Sequence, residues 1–168
     1  MFYSEAIEKL NSSRVKYLVA GGMAVNLHGV PRTTMDLDII IDMERENIIK
    51  LITALKELGY RPRLPVPPED LADEEKRRVW IEEKNLIAFT FVHKDAPAQE
   101  IDVLISSPVD FKTAYKDKIV REAEGLTIPA VGINSLIKMK QAAGRLTDHS
   151  DVEMLKKVRR IKQRGLDL

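Results

Sequence analysis

Three observations predict an α+β fold, a mixed β-sheet flanked by helices. Short, β-branched apolar runs recur at YLVA (17–20), DLDIIID (36–42), 86–92 and 99–105. Apolar residues recur at helical spacing over 4–13, from 42 to about 58, and again from about 134. The order is helix, strand, helix, strand, helix, helix, hairpin, then helices, which is not the regular alternation of an α/β wheel. The 168 residues read as one domain, 1–168, with a C-terminal helical segment at about 134–165.

The first helix carries Ala6, Ile7 and Leu10 on one face. Strand Tyr17–Ala20 is broken by Gly21-Gly22, and a short helix from Met23 to Leu27 ends at His28, Gly29 and Pro31. Asp36–Asp42 reads as the next strand. Asp42 is the expected N-cap of a helix to about Leu58, with a buried stripe of Ile48, Ile49, Ile52 and Leu55 and Gly59 at its C′ position. Pro62, Pro65, Pro67 and Pro68 mark a stiff surface loop, followed by a charged helix from Glu69 to about Glu83 carrying Val79 and Trp80. Strands Leu86–Val92 and Gln99–Ile105 are joined by HKDAPA, a link of hairpin length. Ser107-Pro108 reads as a cap with proline at N1. Leu126–Ile128 reads as one more short strand. Helix follows from about Asn134, with a break at Gly144 and a final helix to Gly165 capped by Thr147 or Asp148.

Composition sets bounds. The absence of cysteine excludes disulfides, thiolate zinc sites and a cysteine nucleophile, and suits a reducing cytoplasm. A net charge of +1 gives no hint of a partner, while 44% hydrophobic and 32% charged residues exclude disorder. MFYSEAIEKL does not read as a signal peptide, and no run approaches the ~18 apolar residues of a membrane span. There is no P-loop, GxSxG or HExxH spacing.

The densest chemistry lies in GGMAVNLHGVPRTTMDLDIII, 21–41. Glycines at a strand–helix junction let backbone approach an anion at the helix N-terminus, although the same pair also serves a plain tight turn. On a strand, Asp36 and Asp38 share one face, with Leu37, Ile39 and Ile41 on the other. Two adjacent carboxylates call for a cation such as Mg²⁺ or Mn²⁺, unless they are solvated acids at a strand end. Asp102, in EIDVLI, is the expected third ligand. Glu100 shares its face and is its rival, but apolar residues follow Asp102 directly. Three carboxylates suit a pair of metal ions about 4 Å apart.

A Gly-Gly turn, Asp-x-Asp about a dozen residues later and one Asp on a later strand resemble the DNA polymerase β-like nucleotidyltransferases. His28, Gly29, Arg32, Thr34, Asp36, Leu37 and Asp38 resemble the HG-x-x-R-x-T-x-D-L-D run of the bacterial branch that includes abortive-infection and toxin–antitoxin nucleotidyltransferases. SLIKMKQAAGRLTDHSDVEML adds Lys140, Arg145, Asp148 and Asp151 to the likeness. The resemblance covers 16–42, 99–105 and about 127–155; the segment 60–98 lies outside it. It implies a nucleotidyltransferase fold and transfer of a nucleoside monophosphate from a triphosphate such as ATP to an acceptor: RNA, a protein hydroxyl or a small molecule. Asp36, Asp38 and Asp102 would hold Mg²⁺ or Mn²⁺, with Asp102 nearest the acceptor. Gly21, Gly22, Arg32 and Thr34 would meet the nucleotide, and Lys140 would neutralise phosphate charge. Lys140 reads equally as a solvated helix lysine, and Arg32 as one half of a loop ion pair.

Two rivals share the same residues: a catalytically silent nucleotide-binding or regulatory module, working with a cognate protein partner, and a two-metal nuclease. The cluster Lys156, Lys157, Arg159, Arg160, Lys162 and Arg164 reads either as an RNA grip or as a solvated helix face. His28 reads as a helix-end polar residue before a nucleotide contact. Trp80 reads as core or interface.

Overall fold

The computed structural model describes residues 3–165. Its centre is a seven-stranded mixed sheet in the order β3-β4-β5-β2-β1-β7-β6. The strands are β1 (Tyr17–Val19), β2 (Leu37–Ile41), β3 (Tyr60–Pro62), β4 (Ala88–His93), β5 (Glu100–Leu104), β6 (Ile119–Ala123) and β7 (Leu126–Ala130). The helices are α1 (Ser4–Ser12), α2 (Gly21–Leu27), α3 (Arg45–Glu57), α4 (Glu74–Lys84), α5 (Phe111–Lys116), α6 (Ile133–Ala143) and α7 (Leu146–Gln163). The expected α+β class holds.

Mixed pairing follows from the connections. β1 and β2 are antiparallel, β4 and β5 form the expected hairpin, and β2 runs parallel to β5 because two helices and two strands intervene. Leu37, Ile39, Ile101 and Val103 are fully buried at the centre of that parallel pair. Tyr17, Phe89 and Phe91 are the bulkiest side chains with almost no exposure. Trp80, partly buried, stacks on the buried Phe89 with 5.4 Å between ring centroids and so packs against the core from outside. α1 packs on α3, and α2 on α6, which in turn packs on α7. Among the described residues, no helix is long and apolar enough to cross a membrane.

Several local expectations are corrected. In α3 the buried stripe is Ile48, Leu51, Ile52 and Leu55, while Ile49 is 37% exposed. At 100° per residue Leu51 lies about 40° beyond Leu55 at one edge of the stripe, whereas Ile49 lies about 60° beyond Ile52 at the other. α3 begins at Arg45, not after Asp42, whose carboxylate accepts the Glu44 N–H at 3.3 Å and whose carbonyl accepts Asn47 Nδ2 at 2.8 Å. The expected helix at 69–83 is divided. Pro68–Ala72 is a 3-10 turn, and Asp73, in extended conformation, caps α4 by accepting from Glu75 and Lys76. Ser107 Oγ instead closes a turn onto Val109, and Asp110 caps α5 by accepting from Thr113 at 2.9 Å. In α7, Asp148 is not the cap but the third helical residue, bonding back to the N-cap, Arg145. β3 and β6, the two sheet edges, had no counterpart in the sequence reading.

Candidate active site

The acids meet at the centre of the sheet. In the parallel ladder Asp38 is the direct partner of Asp102, flanked by the pairs Leu37–Ile101 and Ile39–Val103. Alternation therefore turns both carboxylates to the face opposite the buried leucine and isoleucines. Asp36, expected inside the strand, stands one residue before it and is exposed. Thr90, the cross-strand partner of Asp102 on β4, donates its hydroxyl to Asp102 Oδ1 at 2.6 Å. Sequence reading missed Thr90; its place opposite an acid in a hairpin follows only once the register is known. Glu100, the rival third ligand, is ion-paired with Arg63.

The electrostatics are those of a site short of positive charge. Burial and then the neighbouring Asp102 charge push the Asp38 carboxyl up to about 6, against the pull of Lys140 and Arg145. Asp36 is also raised, by desolvation and then by Asp102 and Glu100. Among the described residues, no three acid or histidine side chains close around one metal-sized point. The fit to a hard divalent cation therefore rests on the donors: carboxylate oxygens only, paired across one ladder, with Asp38 held above its usual range.

Gly21 and Gly22 form the first turn of α2, not a linker before it. Gly21 has φ +57°, and a Cβ there would run into the Asp38 carboxylate. A Cβ on Gly22 would lie 2.7 Å from Thr34 Oγ1 and 3.3 Å from Arg32 Cζ. The expected nucleotide-binding residues are thus gathered at one spot beside Asp38. Asn26 holds the loop there by donating to the Arg32 carbonyl at 2.9 Å.

Lys140 is not a solvated helix lysine. It is 4% exposed and lies 2.9 Å from both Asp148 and Asp151. Asp151 also pairs with Arg32, and Asp148 with Arg145 at 2.8 Å. The ion-pair reading of Arg32 is met by Asp151 of α7. Three cations thus share two carboxylates, and the network ties the glycine-turn loop to α6 and α7. For Asp148, burial alone would raise the pKa, but hydrogen bonds and charge from Arg145 and Lys140 bring it down to about 2.

A cleft of about 530 Å³ opens over the acids, with Gly21, Asp38, Asp102, Lys140 and Arg145 among its lining. His28 stands outside it. That ring is 3% exposed and pairs through Nε2 with the Val131 carbonyl at 2.9 Å, anchoring the end of α2. In the basic C-terminal stretch, Leu155 and Val158 are buried, Lys156 pairs with Glu153 and Arg159 donates to Asn134. Lys157, Arg160 and Arg164 are exposed.

The family described as Aminoglycoside-2''-adenylyltransferase matches residues 4–155. Three solved structures share the fold. A lincosamide antibiotic adenylyltransferase, LnuA, lincomycin-bound, superposes with TM-score 0.61 at 16% identity, covering 94% of this chain and 96% of that one. ANT(2")-Ia in complex with adenylyl-2"-tobramycin gives 0.56 at 14% identity, covering 95% and 91%. An antigenic nucleotidyltransferase-like protein from Paracoccidioides brasiliensis gives 0.52 at 17% identity, covering 89% and 71%. No curated protein matches in sequence. These findings bear out the nucleotidyltransferase superfamily and are silent on its toxin–antitoxin branch.

Proposed function

The chain belongs to the aminoglycoside-2''-adenylyltransferase family, and on that premise we propose that it transfers a nucleoside monophosphate, AMP by preference, from a triphosphate to a hydroxyl of a small molecule. The observation that carries this reading is the register Asp38–Asp102, with Asp36 two residues upstream and the glycine turn against Asp38.

Asp36, Asp38 and Asp102 would hold divalent cations, Mg²⁺ or Mn²⁺, whose charge stabilises the attacking and leaving oxygens of an in-line displacement. This chain's residues supply the rest. Gly21 gives the triphosphate access to Asp38, since any larger residue would displace that carboxylate. Thr90 holds Asp102 in one orientation by donating to one of its oxygens, which leaves the other free for a cation or for the acceptor's proton. Arg145, at the mouth of the cleft, and the buried Lys140 bias the potential toward phosphate. The hydroxyl oxygen bonds to the α-phosphorus, the bond to the bridging oxygen breaks, pyrophosphate leaves, and the hydroxyl proton passes to Asp102 or water. RNA as acceptor has less support: the basic face of α7 is exposed, but no lining residue of the cleft belongs to α7.

The test is pyrophosphate release from ATP in Mg²⁺ with a panel of hydroxyl acceptors, lincomycin and tobramycin included. Turnover by the wild-type chain, reduced at least ~1000-fold in Asp38→Asn and Asp102→Asn, is expected. Turnover that survives either substitution would overturn the assignment.

A further inference from the structure

Beyond the acids, the cleft becomes apolar. Leu104 lies two residues after Asp102 on β5 and therefore on the same face, and Ala88 is its direct partner on β4. Met139 and Leu136 of α6, with Ala142 and Ala143 at its end, form the opposing wall. The cleft has a direction. Sheet order sets β1, which leads into Gly21, on one side of β2, and β5 and β4 on the other. The glycine turn and the apolar floor are thus at opposite ends, with Asp38 and Asp102 between them.

Charge decides what that floor accepts. Among the described residues that line the cleft, the acids are Asp38 and Asp102 and the cations are Lys140 and Arg145. An acceptor carrying several ammonium groups would find no carboxylate beyond the pair assigned to the cations, and would lie in the field of Arg145 and of the cations themselves. A neutral acceptor with a hydrocarbon surface would instead lose water against the half-buried Leu104 and Met139 while its hydroxyl faced Asp102.

We propose that the Ala88–Leu104 floor and the α6 wall form the acceptor subsite, and that it selects an uncharged, hydroxyl-bearing compound with an apolar body over a polycation. This deepens, and rests on, the nucleotidyl-transfer reading above. The step balances as before: the acceptor O–P bond forms, the bridging P–O bond breaks, the proton goes to Asp102 or water, and pyrophosphate departs.

The experiment is calorimetric titration of the full chain, first with Mg²⁺ and α,β-methylene-ATP, then of that complex with hexyl glucoside, methyl glucoside and tobramycin. Hexyl glucoside is expected to bind about tenfold more tightly than methyl glucoside, with tobramycin weakest, because only the hexyl chain buries apolar area. Ala142 is exposed on the wall, so Ala142→Glu is tolerated by the fold; it is expected to abolish the hexyl advantage and to strengthen tobramycin. Tobramycin tightest, equal binding of the two glucosides, no binding of hexyl glucoside to the loaded protein, or an unchanged order in Ala142→Glu would each overturn the proposal. Binding of hexyl glucoside to the free but not the loaded protein would assign the wall to the base. Failure of the nucleotidyl-transfer reading is separate: it is read in the first titration, as no Mg²⁺-dependent uptake of the analogue.

Discussion

At the scale of the residue, the proposed function sets two opposed demands on Asp38. Its carboxylate would have to be ionised to hold the proposed cation, yet burial and Asp102 raise its pKa from 3.8 to about 6. A carboxyl raised in the folded state stabilises the fold fully below the unfolded value, about pH 4, and loses that contribution as pH rises through 6. In the absence of metal, Asp38→Asn is therefore expected to be more stable than wild type at pH 7.5, by on the order of 2 kcal/mol, and no more stable near pH 4. Urea denaturation in EDTA at the two pH values checks this; a gap that fails to narrow on acidification contradicts it. Gly21 is the second sensitive position. Its φ of +57° and the Asp38 carboxylate behind it leave no room for a side chain. Gly21→Ala is expected to cost about 1–3 kcal/mol and to lower kcat/KM at least ~100-fold, measured by denaturation and by pyrophosphate release. Both aspartates of the ladder could be named from sequence, because an Asp within an Ile- and Val-rich run announces itself. Thr90 could not, since a threonine in a strand is ordinary until its partner is known.

At the scale of the element, the join between α6 and α7 depends on charge as well as on Leu136, Leu155 and Val158. Lys140 is buried between Asp148 and Asp151, so removing one acid leaves a cation without full compensation. Asp148→Ala is expected to destabilise by about 3 kcal/mol, a loss that would appear in the denaturation midpoint with circular dichroism as readout. The depressed pKa of Asp148 means that its contribution is present above about pH 4 and is lost as pH falls through 2. An α7 that melts between pH 7 and 5 would contradict this. The long, strongly patterned elements were legible: α1, β2, the β4–β5 hairpin and the C-terminal helices fall where periodicity puts them. Caps were less so, because the helices expected after Asp42 and Ser107 begin only at Arg45 and Phe111, and Asp148 lies inside its helix as the third residue. The edges were hidden. β3 contains Pro62, tolerated where one side of the strand needs no partner, and β6 is marked only by the positive-φ turn Glu124-Gly125 that returns it to β7.

At the scale of the whole molecule, the proposed chemistry sits at the sheet centre and the helices frame it. Adjacency of β2 and β5 brings residues more than sixty positions apart into one ladder. Sequence alone supplied that adjacency only as a condition, since strand order depends on how the whole chain packs. The same holds for the cleft, whose apolar wall is α6 seen across the acids. If the acids bind Mg²⁺ in the folded state only, excess Mg²⁺ is expected to raise the Tm of the wild-type chain by about 5 °C at a hundredfold excess over Kd, and to leave Asp38→Asn unmoved. An equal shift in both proteins would indicate a cation bound elsewhere. The most direct measurement is anomalous diffraction from crystals grown with Mn²⁺ and α,β-methylene-ATP. Manganese peaks within about 2.2 Å of carboxylate oxygens of Asp38 and Asp102, with the triphosphate reaching toward Gly21, are predicted. Manganese absent from those two carboxylates, with nucleotide bound, would contradict the account.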